Sequence, residues 1–191
     1  MIELLKLGVE IQTFFEEKKW GFCFIGGISL LRWGEPRFTT DIDITLFTGF
    51  EGEETYVDIL LDRFEPRVGA MREFALTNRV VILKSSKGYP IDVALGGLPF
   101  EQMAVERSSF CEYQDGISLR TCSAEDLIVM KAFAERGKDW LDVEGIIIRQ
   151  GSKLDWSYIK KQLAPLCELK ESPDILPRLD ALRSRIETLD T

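Results

Sequence analysis

The sequence contains no histidine at all. That absence excludes general base catalysis by imidazole, Ser-His-Asp triads, and zinc or iron sites built on histidine. Cysteine is sparse: Cys23, Cys111, Cys122 and Cys167 lie far apart, and none forms a Cys-x-x-Cys pair. A structural zinc site or a dithiol redox motif is therefore not expected, and the four read as free thiols in a reducing compartment. No run approaches the ~20 apolar residues of a membrane span. The first residues, MIELLKLGVEIQTFFEEKK, lack the basic start and apolar stretch of a secretory signal. The expectation is a cytoplasmic protein. Basic residues are also in deficit, with 24 Lys and Arg against 32 Asp and Glu and a net charge of −8. This balance argues against broad nucleic-acid affinity, which rests on a basic surface.

The chain does carry a clear hydrophobic pattern. Over residues 2–18, Leu4, Leu5, Val9, Ile11, Phe14 and Phe15 recur at helical spacing, ending at Lys18 and Lys19. The segment GFCFIGG reads as a short buried strand stopping at Gly26-Gly27, and ISLLRWG as a short helix closed by Gly34. In DIDITLF, Ile42, Ile44 and Leu46 alternate with Asp41, Asp43 and Thr45, the period of a strand buried on one face. EETYVDILLDRF reads as a helix. RVVILKSS and YPIDVAL are strands joined at Lys87-Gly88, a connector short enough for an antiparallel hairpin. LPFEQMAVERSS is helical, and FCEYQDGISLRTC gives short strands about an Asp115-Gly116 turn. Downstream of Ser123 every segment reads as helix, and in the last one Leu176, Leu179, Leu182, Ile186 and Leu189 share a face. The fold class is α+β: a mixed β-sheet flanked by helices over residues 1–122, followed by a helical part over 123–191.

The chemistry is concentrated in carboxylates. Asp41 and Asp43 sit two apart on a strand, so they face the same way with Cα atoms roughly 6–7 Å apart. Such a pair repels unless a cation lies near it, and Mg²⁺, which prefers oxygen ligands, suits it. Asp92 alternates with Ile91 and Val93 on a second strand and joins the cluster if that strand lies alongside. Three acids over two strands is a layout for two divalent ions about 4 Å apart in phosphoryl or nucleotidyl transfer. Gly26-Gly27, between strand and helix, lets a ligand approach the backbone and the free N–H groups of a helix start, and Ser29 adds a hydroxyl. Lys131 is the one charged residue between Leu127 and Ala134. Such a lysine either snorkels to the rim of the core or meets an anion, a nucleotide phosphate or an acid such as Asp142. Asp139 and Asp142 share a helix face and are of the kind common on the surface near a helix start. Ser123 with Asp126 is a capping box.

On these residues the sequence resembles the nucleotidyltransferase superfamily with a DNA-polymerase-β-like palm, whose signature combines Gly-Gly, Asp-x-Asp and a third acid. Within it the chain is most similar to AbiEii-type toxin-like nucleotidyltransferases, through Arg37-Phe38-Thr39-Thr40-Asp41-Ile42-Asp43, the helical Lys131, and Lys138-Asp139 with Asp142. The match spans roughly residues 22–145, and residues 150–191 carry no motif of the family. The resemblance implies a Mg²⁺ (or Mn²⁺) enzyme that moves a nucleoside monophosphate from an NTP to an RNA, protein or small-molecule acceptor. It implies Asp41, Asp43 and Asp92 as metal ligands, with Asp92 also the proton acceptor and Lys131 a charge-neutralising catalytic residue. It further implies nucleotide contacts at Gly26, Gly27, Ser29, Arg37, Thr39 and Asp142, and a cognate antitoxin as partner. Two rivals stand beside this reading: a catalytically inactive nucleotide-binding regulatory module, and a phosphohydrolase using the same acids.

Overall fold

A computed structural model describes residues 1–189. The last two residues of the expected 123–191 helical region, and the side chain of Leu189, lie outside the described residues. In chain order the elements are α1 (Ile2–Glu17), β1 (Gly21–Phe24), α2 (Gly26–Trp33), β2 (Ile42–Phe47), α3 (Glu53–Arg63), β3 (Glu65–Pro66), α4 (Met71–Asn78), β4 (Val80–Lys84), β5 (Pro90–Gly96), α5 (Pro99–Glu106), β6 (Ser109–Glu112) and β7 (Ser118–Thr121). Four helices follow: α6 (Ala124–Ala134), α7 (Gly137–Gln150), α8 (Trp156–Lys170) and α9 (Ile175–Leu189). The chain divides into two compact units. One comprises Met1–Ile28 and Phe38–Cys122; the other comprises Ser29–Arg37 and the chain from Ser123 onward.

The first unit is built on one mixed sheet of order β3-β4-β5-β2-β1-β7-β6. β2 lies inside it, parallel to β5 and antiparallel to β1. The alternation read in the sequence explains why. Ile42, Ile44 and Leu46 of β2 and Ile91, Val93 and Leu95 of β5 all enter one core, with Leu4, Leu5, Ile11 and Phe15 of α1 packed into the same cluster. Each such side chain, fully buried, contributes roughly 1.5–3 kcal/mol. β4 and β5 form the expected antiparallel hairpin, with Lys84 opposite Pro90. Its turn closes through the Ser85 N–H donating to the Tyr89 carbonyl at 2.9 Å, with Gly88 at φ +83. The sheet edge beyond β4 carries β3, and α4 precedes β4; neither element is marked in the sequence pattern.

In the second unit α6 packs against α7 and α8, and α9 packs against α7 and α8. Ser123 caps α6 as its side chain accepts the Asp126 N–H at 3.1 Å. On α9, Leu179 and Ile186 of the expected stripe are buried, as is Ile175, while Leu176 and Leu182 are half-buried. All four cysteines are free thiols. Among the described residues no helix is long and apolar enough to cross a membrane.

Candidate active site

The register of the central strands pairs Asp43 directly with Asp92. Their neighbours on each strand, Ile42 and Ile44, Ile91 and Val93, are fully buried. Both acids therefore project from the opposite face, where they are half-buried. Cα atoms in register on adjacent strands are about 4.8 Å apart, closer than two residues along one strand. Asp41 lies one residue before β2 in phase with Asp43, and the buried Thr39 hydroxyl donates to its Oδ1 at 2.7 Å.

The adjacent glycines have a packing reason. A Cβ on Gly26, whose φ is +56, would stand 1.9 Å from Asp43 Oδ2. A Cβ on Gly27 would stand 2.3 Å from Thr39 Oγ1. Thus Gly26 makes room for one acid, and Gly27 for the threonine that orients the other. The Ile25 N–H donates to the Asp43 carbonyl at 2.9 Å and ties the turn to β2. Ser29 is fully buried, so its hydroxyl has no solvent-facing surface in this arrangement.

Asp92 forms an ion pair with Arg67, a residue the sequence pattern does not mark. Among the described residues no group of three or more acidic or cysteine side chains is gathered closely enough to hold a metal ion as it stands. The donor set nevertheless suits Mg²⁺ or Mn²⁺. It is all carboxylate oxygen, two members are in register on adjacent strands, and all three are partly accessible to solvent. In the observed arrangement Asp92 is engaged by Arg67 and Asp41 by Thr39.

A second cluster lies within the helical unit. Lys131, only 6% exposed, donates to Asp142 Oδ2 at 2.6 Å and to Asp139 Oδ1 at 3.3 Å. Its anions are thus the two acids of α7. Arg37 grips Asp142 with both ends of its fork, at 3.0 and 3.1 Å. Arg136 pairs with Asp139. Asp139 is 1% exposed, which corrects its reading as a surface acid: α6 and the turn to α7 bring Lys131 and Arg136 onto it. Burial works to raise the Asp142 pKa, but hydrogen bonds from Arg37 and Lys131, together with their charges, outweigh it and hold the carboxyl below its ordinary value.

The structure therefore brings Gly26, Gly27, Thr39, Asp41, Asp43 and Asp92 together in the sheet unit, and Arg37, Lys131 and Asp142 together in the helical unit. Sequence reasoning missed Arg67 and Arg136. Arg136 stands two residues before Lys138-Asp139, at a helix N-terminus, and only the burial of Asp139 reveals its use.

The model of the family described as nucleotidyl transferase AbiEii toxin, type IV toxin–antitoxin system, matches residues 12–161. A search of curated proteins by sequence finds no match. Among solved structures, that of an antigenic nucleotidyltransferase-like protein from Paracoccidioides brasiliensis aligns with a TM-score of 0.53 at 16% identity, over 95% of this chain and 94% of that one. The lincosamide antibiotic adenylyltransferase LnuA, with lincomycin bound, aligns with a TM-score of 0.48 at 19% identity, over 72% of this chain and 92% of that one. The first of these likenesses establishes a nucleotidyltransferase-like fold.

Proposed function

Since the chain belongs to the AbiEii nucleotidyltransferase family of type IV toxin–antitoxin systems, and is a nucleotidyltransferase, we propose that it transfers a nucleoside monophosphate from an NTP to an acceptor hydroxyl with the help of Mg²⁺ or Mn²⁺. The observation that supports the reading most is the register of Asp43 with Asp92 on the face of two central strands away from the core. Asp41, Asp43 and Asp92 would hold the cation. When bound, it supplies charge neutralisation at the phosphates and acidifies the attacking hydroxyl.

The chain's own groups do the rest. Asp92 takes the proton of the acceptor hydroxyl. The acceptor oxygen then bonds to the α-phosphorus, the bond from that phosphorus to the bridging oxygen breaks, and pyrophosphate leaves with the electron pair. Thr39 orients Asp41. The first turn of α2, at Gly26 and Gly27, offers backbone N–H groups to the terminal phosphates, and Ser29, the third phosphate contact of this reading, is buried in the cation-free protein. Within the helical unit, Lys131 and Arg37 are the cations the family reading gives to the nucleotide, and Asp142 fixes both. The acceptor is an RNA end, a protein hydroxyl or a small molecule, and the net charge of −8 disfavours the first. A cognate antitoxin is the partner this family reading calls for.

The test uses four α-³²P-labelled NTPs with Mg²⁺ or Mn²⁺ and a cell extract, beside an Asp41→Asn/Asp43→Asn control. Label entering RNA, protein or a small molecule with the unmutated chain alone supports transfer and identifies the acceptor class. One observation favours a second reading, a nucleotide-binding regulatory module without transfer: Asp92 is engaged by Arg67 rather than turned to its fellow acids. Nucleotide binding by calorimetry with no transferred label in any mixture would establish that reading instead.

A further inference from the structure

Arg67 reaches Asp92 through the register of the sheet. β3 ends at Pro66, which pairs with Leu83 of β4. The next residue, Arg67, donates its backbone N–H to the Ile82 carbonyl at 3.0 Å. Ile82 stands opposite Asp92, and Asp92 opposite Asp43. One row across the sheet therefore runs Arg67, Ile82, Asp92, Asp43. Its face is settled by the flanking residues: Val81 and Leu83 are fully buried in the core, so Ile82 and Asp92 project on the other side. Two strand spacings place the Arg67 backbone about 10 Å from that of Asp92. Together the arginine and aspartate side chains are long enough to close that gap, and the guanidinium ends on Asp92 Oδ1.

The pair is well suited to exchange. Arg67 is 31% and Asp92 38% exposed, so ions reach both without opening the core. A guanidinium and a divalent cation repel each other when they share one carboxylate. Arg67 comes from the edge of the sheet, whereas Asp92 and Asp43 stand on strands bonded on both sides. Of the row, Arg67 is the member that can withdraw at small cost.

We propose that Arg67 is a positioning residue for Asp92: it holds the carboxylate in the cation-free protein and releases it when a divalent cation binds between Asp43 and Asp92, the two states being mutually exclusive. This inference rests on the reading of those acids as a metal site.

Mn²⁺ titration, with free Mn²⁺ read by electron paramagnetic resonance, tests it on the full chain. The set comprises the wild type, Arg67→Met, Arg67→Gln, Arg67→Lys, Asp92→Asn and the double variant Arg67→Met/Asp92→Asn, each checked for fold by circular dichroism. Removing the charge should tighten Mn²⁺ binding about 2- to 5-fold, the range a partly exposed ion pair sustains. Arg67→Lys, which keeps the charge, should stay close to the wild type. The effect should vanish when Asp92 is already Asn, since the coupling runs through that carboxylate. Unchanged or weaker binding by both Arg67→Met and Arg67→Gln, or tightening that persists without Asp92, overturns the role of Arg67. Asp43→Asn, added to the set, completes the control: if Asp92→Asn and Asp43→Asn both bind Mn²⁺ as the wild type does, the metal site itself is wrong; if they weaken it while Arg67 variants do not tighten it, only the Arg67 inference fails.

Discussion

The carboxylate of Asp43 occupies the space that a side chain on residue 26 would need, with Oδ2 1.9 Å from the position of a Cβ on Gly26. The glycine also holds φ +56, a conformation other residues adopt only with strain. Gly26→Ala meets both obstacles together. It should destabilise the fold by about 1–3 kcal/mol and, by pushing Asp43 aside, reduce label transfer far more than the lost stability explains. Thermal melts and the transfer assay, run on the same preparation, separate the two effects. Equal losses in both would mean that Gly26 serves the fold alone.

Asp43→Asn and Asp92→Asn should behave differently from a core mutation. Both acids are half-buried on the face away from the core, and the Arg67–Asp92 pair is partly exposed. Such pairs are worth about 0.2–1 kcal/mol, so the variants should melt close to the wild type. Transfer by Asp92→Asn should fall at least about 100-fold, the lower end of what a general base contributes, and transfer by Asp43→Asn should fall through loss of a cation ligand. Retained transfer in Asp92→Asn would remove that residue from the reaction.

Asp142→Asn attacks the helical cluster. The carboxylate is 7% exposed and serves both Lys131 and Arg37. Losing its charge leaves Lys131 buried with Asp139 as its remaining carboxylate, and breaking a buried pair typically costs about 3–5 kcal/mol. The pH dependence follows from the sign of the shift. The folded pKa lies below the ordinary 3.8, so the carboxylate's contribution is fully present above that value and is lost as pH falls through the lower, folded one. Denaturant melts should show a constant gap between wild type and variant from neutral pH down to weak acid, closing only in strong acid. A gap that closes near neutrality would contradict the cluster.

Much of this was legible in the sequence because it is written in local periods. β2 and β5 each alternate apolar and acidic residues, and that alternation alone fixes which face the acids take. The Lys87-Gly88 connector announces the hairpin that sets β4 beside β5. What the sequence concealed is non-local. β3 is two residues long and has no period to detect; it exists because β4 is there to pair with it. α4 starts after Ala70 in a left-handed conformation with no capping side chain, so its start carries no signal. Arg67 acquires its partner from strand order, and Asp139 its burial from the packing of α7 on α6. Neither position differs locally from a surface charge.

The central placement of β2 has a consequence for motion. Its amides and carbonyls are bonded to β5 on one side and β1 on the other. Such a strand opens only with the whole domain, so its amide protons should exchange with solvent at the rate of global unfolding, while the Arg67 amide, bonded to the Ile82 carbonyl at the sheet edge, exchanges through local fraying. Hydrogen exchange read residue by residue over Ile42–Phe47 and at the Glu65 and Arg67 amides would show the contrast. The acids thus share the lifetime of the folded domain, and their arginine counter-ion lives on the segment that breathes.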